Sequence, residues 1–415
     1  MAHLPHYRAL KRATSKYVLK ADISTCYESI YTHSIPWAIH TKGVAKANQN
    51  SLALVGNELD LITRNAQDRQ TTGIPIGPDT SVVISELILS AADQELANRV
   101  KLDGFRYVDD YELGFASYSD AESALGELQS VLSQYELQLN AAKTSIIELP
   151  TPLDARWAAE LAGFRIRSAP KRQPTDLVHY FSRAFELAGQ YPEEGVLKYE
   201  ISRMHSVTVD ISTWDMYQAL LFQSAIVEPG ALSWVVDQLL RYTRSSYSLT
   251  QQKAEEVMHH LLRTHAPLAH GSEVAWALWA CLLFAIPIDD SAATVLCEMD
   301  DPVVVLLTLD ARPQGLIDPQ ITMSNWGSSM NSDELYGSQW LLPYEAHVKG
   351  WLQSSSGADY VMADPHFSYL KANGVQFYDE TKNVTHLPRR PLTRYGQAVK
   401  ETLEPFEPVE VGVSS

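Results

Sequence analysis

Two adjacent aspartates, Asp109 and Asp110, stand inside an otherwise apolar and aromatic stretch, Gly104-Phe105-Arg106-Tyr107-Val108-Asp109-Asp110-Tyr111-Glu112-Leu113-Gly114-Phe115. Bulky residues on both sides predict two short strands joined by a tight turn that carries the acids. Neighbouring carboxylates repel each other and resist losing water, so a fold that crowds them gains by giving them a cation to share. A hard divalent ion such as Mg2+ takes carboxylate oxygens and substrate phosphates as ligands. An Asp-Asp pair at a hairpin tip therefore suits phosphoryl transfer. A solvated turn is the plain alternative, and a second acid in the right setting separates the two.

Asp22 is that acid. The run Tyr17-Val18-Leu19-Lys20-Ala21-Asp22-Ile23 predicts a buried strand ending on an aspartate. Ser24-Thr25-Cys26-Tyr27-Glu28-Ser29-Ile30 then turns toward a helix. Three carboxylates able to converge are what a two-metal site needs to hold the attacking and leaving oxygens of an in-line displacement. In such a reaction the protein mainly positions groups and neutralises charge.

In their order along the chain these motifs resemble those of the reverse transcriptases, and within them the bacterial abortive-infection (Abi) and antiphage-defence branch. Asp22-Ile23-Ser24-Thr25-Cys26-Tyr27 resembles palm motif A and Gly73-Ile74-Pro75-Ile76-Gly77-Pro78-Asp79-Thr80-Ser81 resembles motif B. Tyr107-Val108-Asp109-Asp110 resembles motif C, Leu139-Asn140-Ala141-Ala142-Lys143-Thr144 motif D, and Gly163-Phe164-Arg165-Ile166 motif E. Tyr31-Thr32-His33-Ser34-Ile35-Pro36-Trp37-Ala38 and Asn373-Gly374-Val375-Gln376-Phe377-Tyr378-Asp379 are similar to stretches of the Abi branch. The palm resemblance covers roughly residues 15–170.

The resemblance implies a DNA polymerase in which Asp22, Asp109 and Asp110 are catalytic and bind Mg2+ or Mn2+, with the Ile23 carbonyl assisting. It implies that Tyr27, Gly73, Pro75, Ile76, Gly77 and Tyr107 meet the nucleotide, and that Lys143 neutralises or protonates the departing pyrophosphate. Many relatives carry Gln where Ile76 stands. The implied partners are dNTPs, single-stranded DNA or RNA, DNA attached to the protein itself, a phage or host protein as trigger, and further copies of the chain.

Each residue also has a physical reading of its own. A ring at Tyr27 would collide with a 2′-OH, the group that marks ribonucleotides; a core tyrosine is the alternative. Gly73, Pro75, Gly77 and Pro78 make a stiff, narrow loop before the apolar helix Val82 to Leu89, where backbone approaches a ligand and a helix start favours an anion. An ordinary turn is its alternative. Lys143 follows an amphipathic pattern from Ala121 to Gln138, and could equally be solvated surface.

The expected fold class is α+β: a right-hand polymerase palm, an antiparallel sheet with helices, over residues 1–170, then an all-α domain over 171–384 and a loosely ordered tail over 385–415. Only about twenty residues precede Asp22, so the fingers are expected to be largely missing or supplied elsewhere. Pro170-Lys171-Arg172-Gln173-Pro174 reads as a hinge. Beyond it, helical patterns cover 177–190, 196–205, 214–226, 232–242, 249–265, 272–284, 292–299, 302–309 and 339–352. No clean period accompanies them, and HEAT-like stacked pairs are the candidate arrangement. His259, His260, His265 and His270 lack an accompanying carboxylate or thiol set and read as helix surface.

Composition sets the bounds. A chain of 415 residues is too long for one ordinary core, and 45% hydrophobic residues make it globular. Cys26, Cys281 and Cys297 form no CxxC spacing and fit a reducing cytoplasm. The run Val274 to Ile288 is short for a bilayer, so no membrane partner is expected. The net charge of −17 excludes a generic binder of long duplexes, because phosphate binding needs Lys and Arg to displace counterions. The first twenty residues nevertheless hold Arg8, Lys11, Arg12, Lys16 and Lys20 without an acid, a basic stripe beside the palm.

Two other classes compete. One is a catalytically inactive polymerase-like scaffold that binds a phage or host protein; the other is a cyclase on a similar palm. The Abi resemblance also implies priming from a protein hydroxyl, for which Tyr180, Tyr191, Tyr199, Tyr217, Tyr242 and Tyr247 are candidates.

Overall fold

The computed structural model describes residues 4–354, 356–381 and 409–411. These fall into two compact units, one running to Arg156 and including 409–411, the other starting at Trp157.

The first unit contains α1 (Leu4–Lys11), β1 (Tyr17–Asp22), α2 (Cys26–Ser29), α3 (Ser34–His40), α4 (Lys42–Ala47), α5 (Val55–Asn65), α6 (Asp79–Arg99), β2 (Asp103–Tyr107), β3 (Asp110–Phe115), α7 (Tyr118–Gln134), β4 (Ser145–Glu148) and β5 (Val409–Val411). The strands form one sheet in the order β4-β1-β3-β2-β5, with every pair antiparallel. Successive side chains of a strand point to opposite faces. Leu19, Ala21 and Ile23 therefore enter one core with Ile88, Leu89 and Leu96 of α6 and Leu128, Val131 and Leu132 of α7. Full burial of each such Leu, Ile or Val contributes about 1.5–3 kcal/mol. Lys20 and Asp22 take the opposite face. The sheet thus has one side packed against α6 and α7 and a second side, covered in part by α1, on which the acids stand.

Local chemistry explains the boundaries. Ser117 caps α7 by accepting a hydrogen bond from the Asp120 amide, so the helix begins before the Ala121 expected from periodicity. Gly104 is required by close approach, since a Cβ there would lie 2.4 Å from the Glu112 carbonyl oxygen on the neighbouring strand. On that second side Arg8 and Arg12 both donate to the Glu112 carboxylate, at 2.8 Å each. Lys11 pairs with Asp103 and Lys16 with Glu148. The basic stripe of the first twenty residues is therefore largely engaged in tying the chain's start to the sheet.

The second unit is helical: α8 (Arg156–Gly163), α9 (Gln173–Gln190), α10 (Val196–Arg203), α11 (Trp214–Val227), α12 (Leu232–Thr243), α13 (Gln251–His265), α14 (Gly271–Phe284), α15 (Asp290–Leu296), α16 (Pro302–Ala311), α17 (Leu341–Val348), α18 (Tyr360–Ala363) and α19 (Phe367–Ala372). From α9 to α16 the helices pack as the pairs α9/α10, α11/α12, α13/α14 and α15/α16. Odd-numbered helices also contact the next odd one, and even-numbered helices the next even one. Asp289 and Asp301 cap α15 and α16 with their side chains, and Pro302 occupies the first turn, where its missing N–H costs nothing.

Several expectations change. The division between units falls at Arg156 and Trp157, not at Pro170–Pro174: Gln173 already starts α9, and Pro174 sits in its first turn. Gly163-Phe164-Arg165-Ile166 consequently begins at the last residue of α8 in the second unit, where the Phe164 ring meets Tyr180 at 5.6 Å. Most of the expected tail, 385–415, lies outside the described residues, yet Val409–Val411 pairs with β2 as an edge strand. His259 is not helix surface. It is buried, with one ring nitrogen 2.8 Å from the Pro287 carbonyl and the other 3.1 Å from Asp289. Among the described residues no helix is long and apolar enough to cross a membrane.

Candidate active site

Antiparallel register does most of the assembly. Asp22, the last residue of β1, is the direct partner of Asp110, the first residue of β3. Side chains opposite each other in such a pair start about 5 Å apart. Asp109 precedes Asp110 in the turn between β2 and β3, and its carbonyl accepts from the Ile23 amide at 3.1 Å. The turn is thus stitched to the continuation of β1. Ile23 buries its side chain in the core.

The Val108 backbone has φ of +58°, which a β-branched residue adopts only under strain of about 1–3 kcal/mol. The strain persists because Arg106 holds the turn from below. Arg106 is fully buried, and it donates to the Val108 carbonyl at 2.6 Å and to both oxygens of Glu86 at 2.8 and 2.9 Å. It also donates to Asp93 at 3.0 Å, and Tyr111 completes the network through a 2.7 Å bond to the same carboxylate. Sequence reasoning missed this cluster. Its traces were an arginine in an otherwise apolar strand and two acids seven residues apart on α6, which places them on one helix face.

Lys143 lies in the loop before β4, and its ammonium is 3.0 Å from an Asp22 oxygen. This hydrogen bond and the charge of Asp22 raise the pKa of the exposed lysine. Burial and the negative charge of Asp22 raise Asp109. Burial, then Asp109 and Asp22, push Asp110 up to about 6. Such mutual repulsion is what a cation relieves. The donor set is all-oxygen and anionic, which suits Mg2+ or Mn2+. Among the described residues no three acids, histidines or cysteines close on a single point, and Lys143 supplies the counter-charge to Asp22.

Tyr107 pairs with Asp110 in register, and both line a cavity of about 150 Å³ with Arg8, Lys20, Glu112 and Lys143. A larger recess of about 300 Å³, lined by Trp37, Lys42, Glu95 and Tyr135, contains none of the three aspartates. Tyr27, on α2, is half-buried against the core, and its hydroxyl lies 3.4 Å from Ser85 of α6. The loop before α6 begins at Gly73, whose φ of +84° and closeness to the Glu28 carbonyl exclude a side chain. The Ile74 amide donates to the Tyr27 carbonyl, which seats the loop beside that ring. Pro75, Ile76 and Gly77 are exposed, Ile76 by 70%. Burial pushes the Cys26 thiol up to about 12, so it is no nucleophile.

The first unit therefore has the form of a polymerase palm, an antiparallel sheet backed by two long helices. Residues 2–178 match the family described as "Reverse transcriptase (RNA-dependent DNA polymerase)". That match indicates an RNA-directed DNA polymerase, a nucleotidyltransferase acting on nucleotides and nucleic acid. No curated protein matches the chain.

The Asp110 shift has a consequence for stability. An aspartate whose folded pKa exceeds its unfolded value, about 3.9, imposes no penalty at low pH and a growing one as pH rises from about 4 through 6. Asp110→Asn should therefore stabilise the metal-free protein at pH 7. Although neighbouring groups crowd it, the Asp110 side chain keeps much of its contact with solvent, and screening limits the gain to about 1 kcal/mol. Thermal unfolding in EDTA at pH 4 and pH 7 checks this: the gain should appear at pH 7 and vanish at pH 4.

Proposed function

We propose that the chain is a DNA polymerase of the reverse-transcriptase type that adds dNTPs by two-metal phosphoryl transfer, in defence against phage. The observation that carries this reading is the register match of Asp22 with Asp110, beside a turn that presents Asp109. Asp22, Asp109 and Asp110 hold the ions, with the Ile23 carbonyl as a further oxygen. Bound Mg2+ or Mn2+ supplies charge neutralisation for the phosphates and activation of the attacking oxygen. Lys143, exchanging Asp22 for the substrate, donates charge or a proton to the pyrophosphate. Tyr107 and the loop of Gly73, Pro75, Ile76 and Gly77 border the nucleotide, and Tyr27 lies under its sugar.

The Abi assignment rests on the quoted motifs and on the helical unit. Helices α9, α11, α13 and α15 start roughly 40 residues apart, the spacing of HEAT-type repeats. The late Abi-like stretch packs within that unit, with Tyr378 donating to Asp310 of α16 at 2.6 Å. Protein priming narrows to fewer tyrosines. Tyr180, Tyr217 and Tyr242 are buried with their hydroxyls bonded, which sets them aside as acceptors. Tyr191, Tyr199 and Tyr247 are only half-buried.

Incubating the purified chain with labelled dNTPs and Mg2+ or Mn2+, with and without primer–template, tests the proposal. DNA that stays with the protein through denaturation and phenol, and becomes a peptide adduct after protease, supports protein priming. Free, primer-dependent DNA identifies ordinary templated synthesis. A cyclic product, or none, overturns the assignment in favour of a cyclase or an inactive scaffold. Tyr27→Ala should in addition relax the preference for dNTPs over NTPs by roughly tenfold or more, since one freed hydroxyl-sized space is worth a kcal/mol or two. An unchanged ratio would make Tyr27 a core residue.

A further inference from the structure

We infer that Arg106 and Glu86 are positioning residues that set the metal affinity of the catalytic turn and join that turn to the nucleotide pocket through α6. The inference rests on the reading of Asp109 and Asp110 as metal ligands. The positive φ of Val108 is unfavourable for valine, so the turn needs an external hold to stay in the conformation that sets Asp109 and Asp110 beside the end of β1. Among the described residues the Val108 carbonyl accepts one side-chain hydrogen bond, from Arg106 at 2.6 Å. The same guanidinium nitrogen reaches Glu86, and the other two nitrogens reach Glu86 and Asp93. A guanidinium is a planar fork with fixed donor directions, so anchoring it to two carboxylates of α6 fixes where its bond to the turn points.

The anchor is also a link. Ser85, next to Glu86 on α6, lies 3.4 Å from the Tyr27 hydroxyl, while Glu86 grips Arg106. One turn of α6 therefore touches the proposed sugar-side residue with one side chain and the hold on the metal-binding turn with the next. A shift of α6 on nucleotide entry would be felt at Val108 through a single rigid group. Lysine at 106 keeps the charge but cannot span Val108, Glu86 and Asp93 together. Glutamine at 86 keeps the shape and loses one of the paired acceptors.

The test measures Mn2+ binding to the full chain by electron paramagnetic resonance of the free ion, without nucleotide, alongside thermal unfolding in EDTA. Arg106→Lys and Glu86→Gln should each weaken Mn2+ binding by roughly ten- to a hundredfold, the range typical when a group orienting a metal ligand is removed. Tyr111→Phe breaks the bond to Asp93 but leaves the hold on Val108, and should keep the affinity within about twofold while lowering the melting temperature. If Arg106→Lys does not fold, Glu86→Gln decides. A folded Glu86→Gln protein with wild-type affinity overturns the inference, as does equal weakening by Tyr111→Phe. Failure of the wild-type chain to bind Mn2+ overturns the metal-site reading itself, and the inference with it.

Discussion

Asp109→Asn is expected to reduce dNTP incorporation by about a thousandfold or more, since losing several kcal/mol of transition-state charge stabilisation costs a factor of ten per 1.36 kcal/mol. The amide is nearly the same size, so the turn should keep its shape. It is neutral, so it no longer draws a cation into the space between β1 and β3. Burial and the charge of Asp22 raise the Asp109 pKa, which means the ionised form is costly while no cation is present. The variant should therefore melt at or above the wild-type temperature in EDTA. Activity loss with retained or increased stability is the signature of a group kept for chemistry. Wild-type incorporation by a folded Asp109→Asn protein would remove the carboxylate from the mechanism, whereas loss of the fold would show that the turn needs the acid for its geometry.

What could be read from the sequence was local, or was repeated in a recognisable order. β1, β2 and β3 follow from short apolar runs, and the acids follow from where those runs end. The helices of the second unit follow from periodicity and from breakers such as Gly195, Pro229 and Pro287. Stacked helical pairs could be named only as a candidate without a sequence period, because stacking requires apolar faces of matching size and leaves residue identities free. Nor was the role of Arg106, since a buried ion network draws its members from β2 and α6, and nothing in spacing reveals which acids a strand arginine will find. What the stripe at the chain start binds was hidden for the same reason: Arg8 and Arg12 find their partner only once Glu112 is placed opposite them. The unit boundary was misplaced because Pro174 marks the start of a helix as readily as a hinge.

Glu112→Gln should cost about 3 kcal/mol of stability at pH 7, because removing one side of a buried ion pair leaves the other charge without compensation. Here two arginines are left, one of them, Arg12, with only 9% of its surface exposed. Burial works against the Glu112 charge, but the hydrogen bonds from Arg8 and Arg12 prevail and hold its carboxyl below the usual range. The sign of the pH dependence follows. A depressed carboxylate contributes its full stabilisation above its unfolded pKa of about 4.3 and loses it as pH falls through the lower folded value. Urea unfolding should thus show a large deficit for Glu112→Gln at pH 7 that shrinks as the solution is acidified below pH 4. Asp110, two residues earlier on the same face of β3, has the opposite shift, and its amide variant gains stability over a higher pH range. The two carboxylates have one chemistry and one strand, and their neighbours separate them. Glu112 is surrounded by cations the chain itself supplies and serves to fasten α1. Asp110 faces two further acids, and neither Lys143 nor Lys20 offsets them, so it keeps an unmet demand for positive charge where nucleotide phosphates would arrive. A Glu112→Gln protein as stable as wild type at pH 7 would mean that α1 is held by the Tyr7–Phe105 contact rather than by charge.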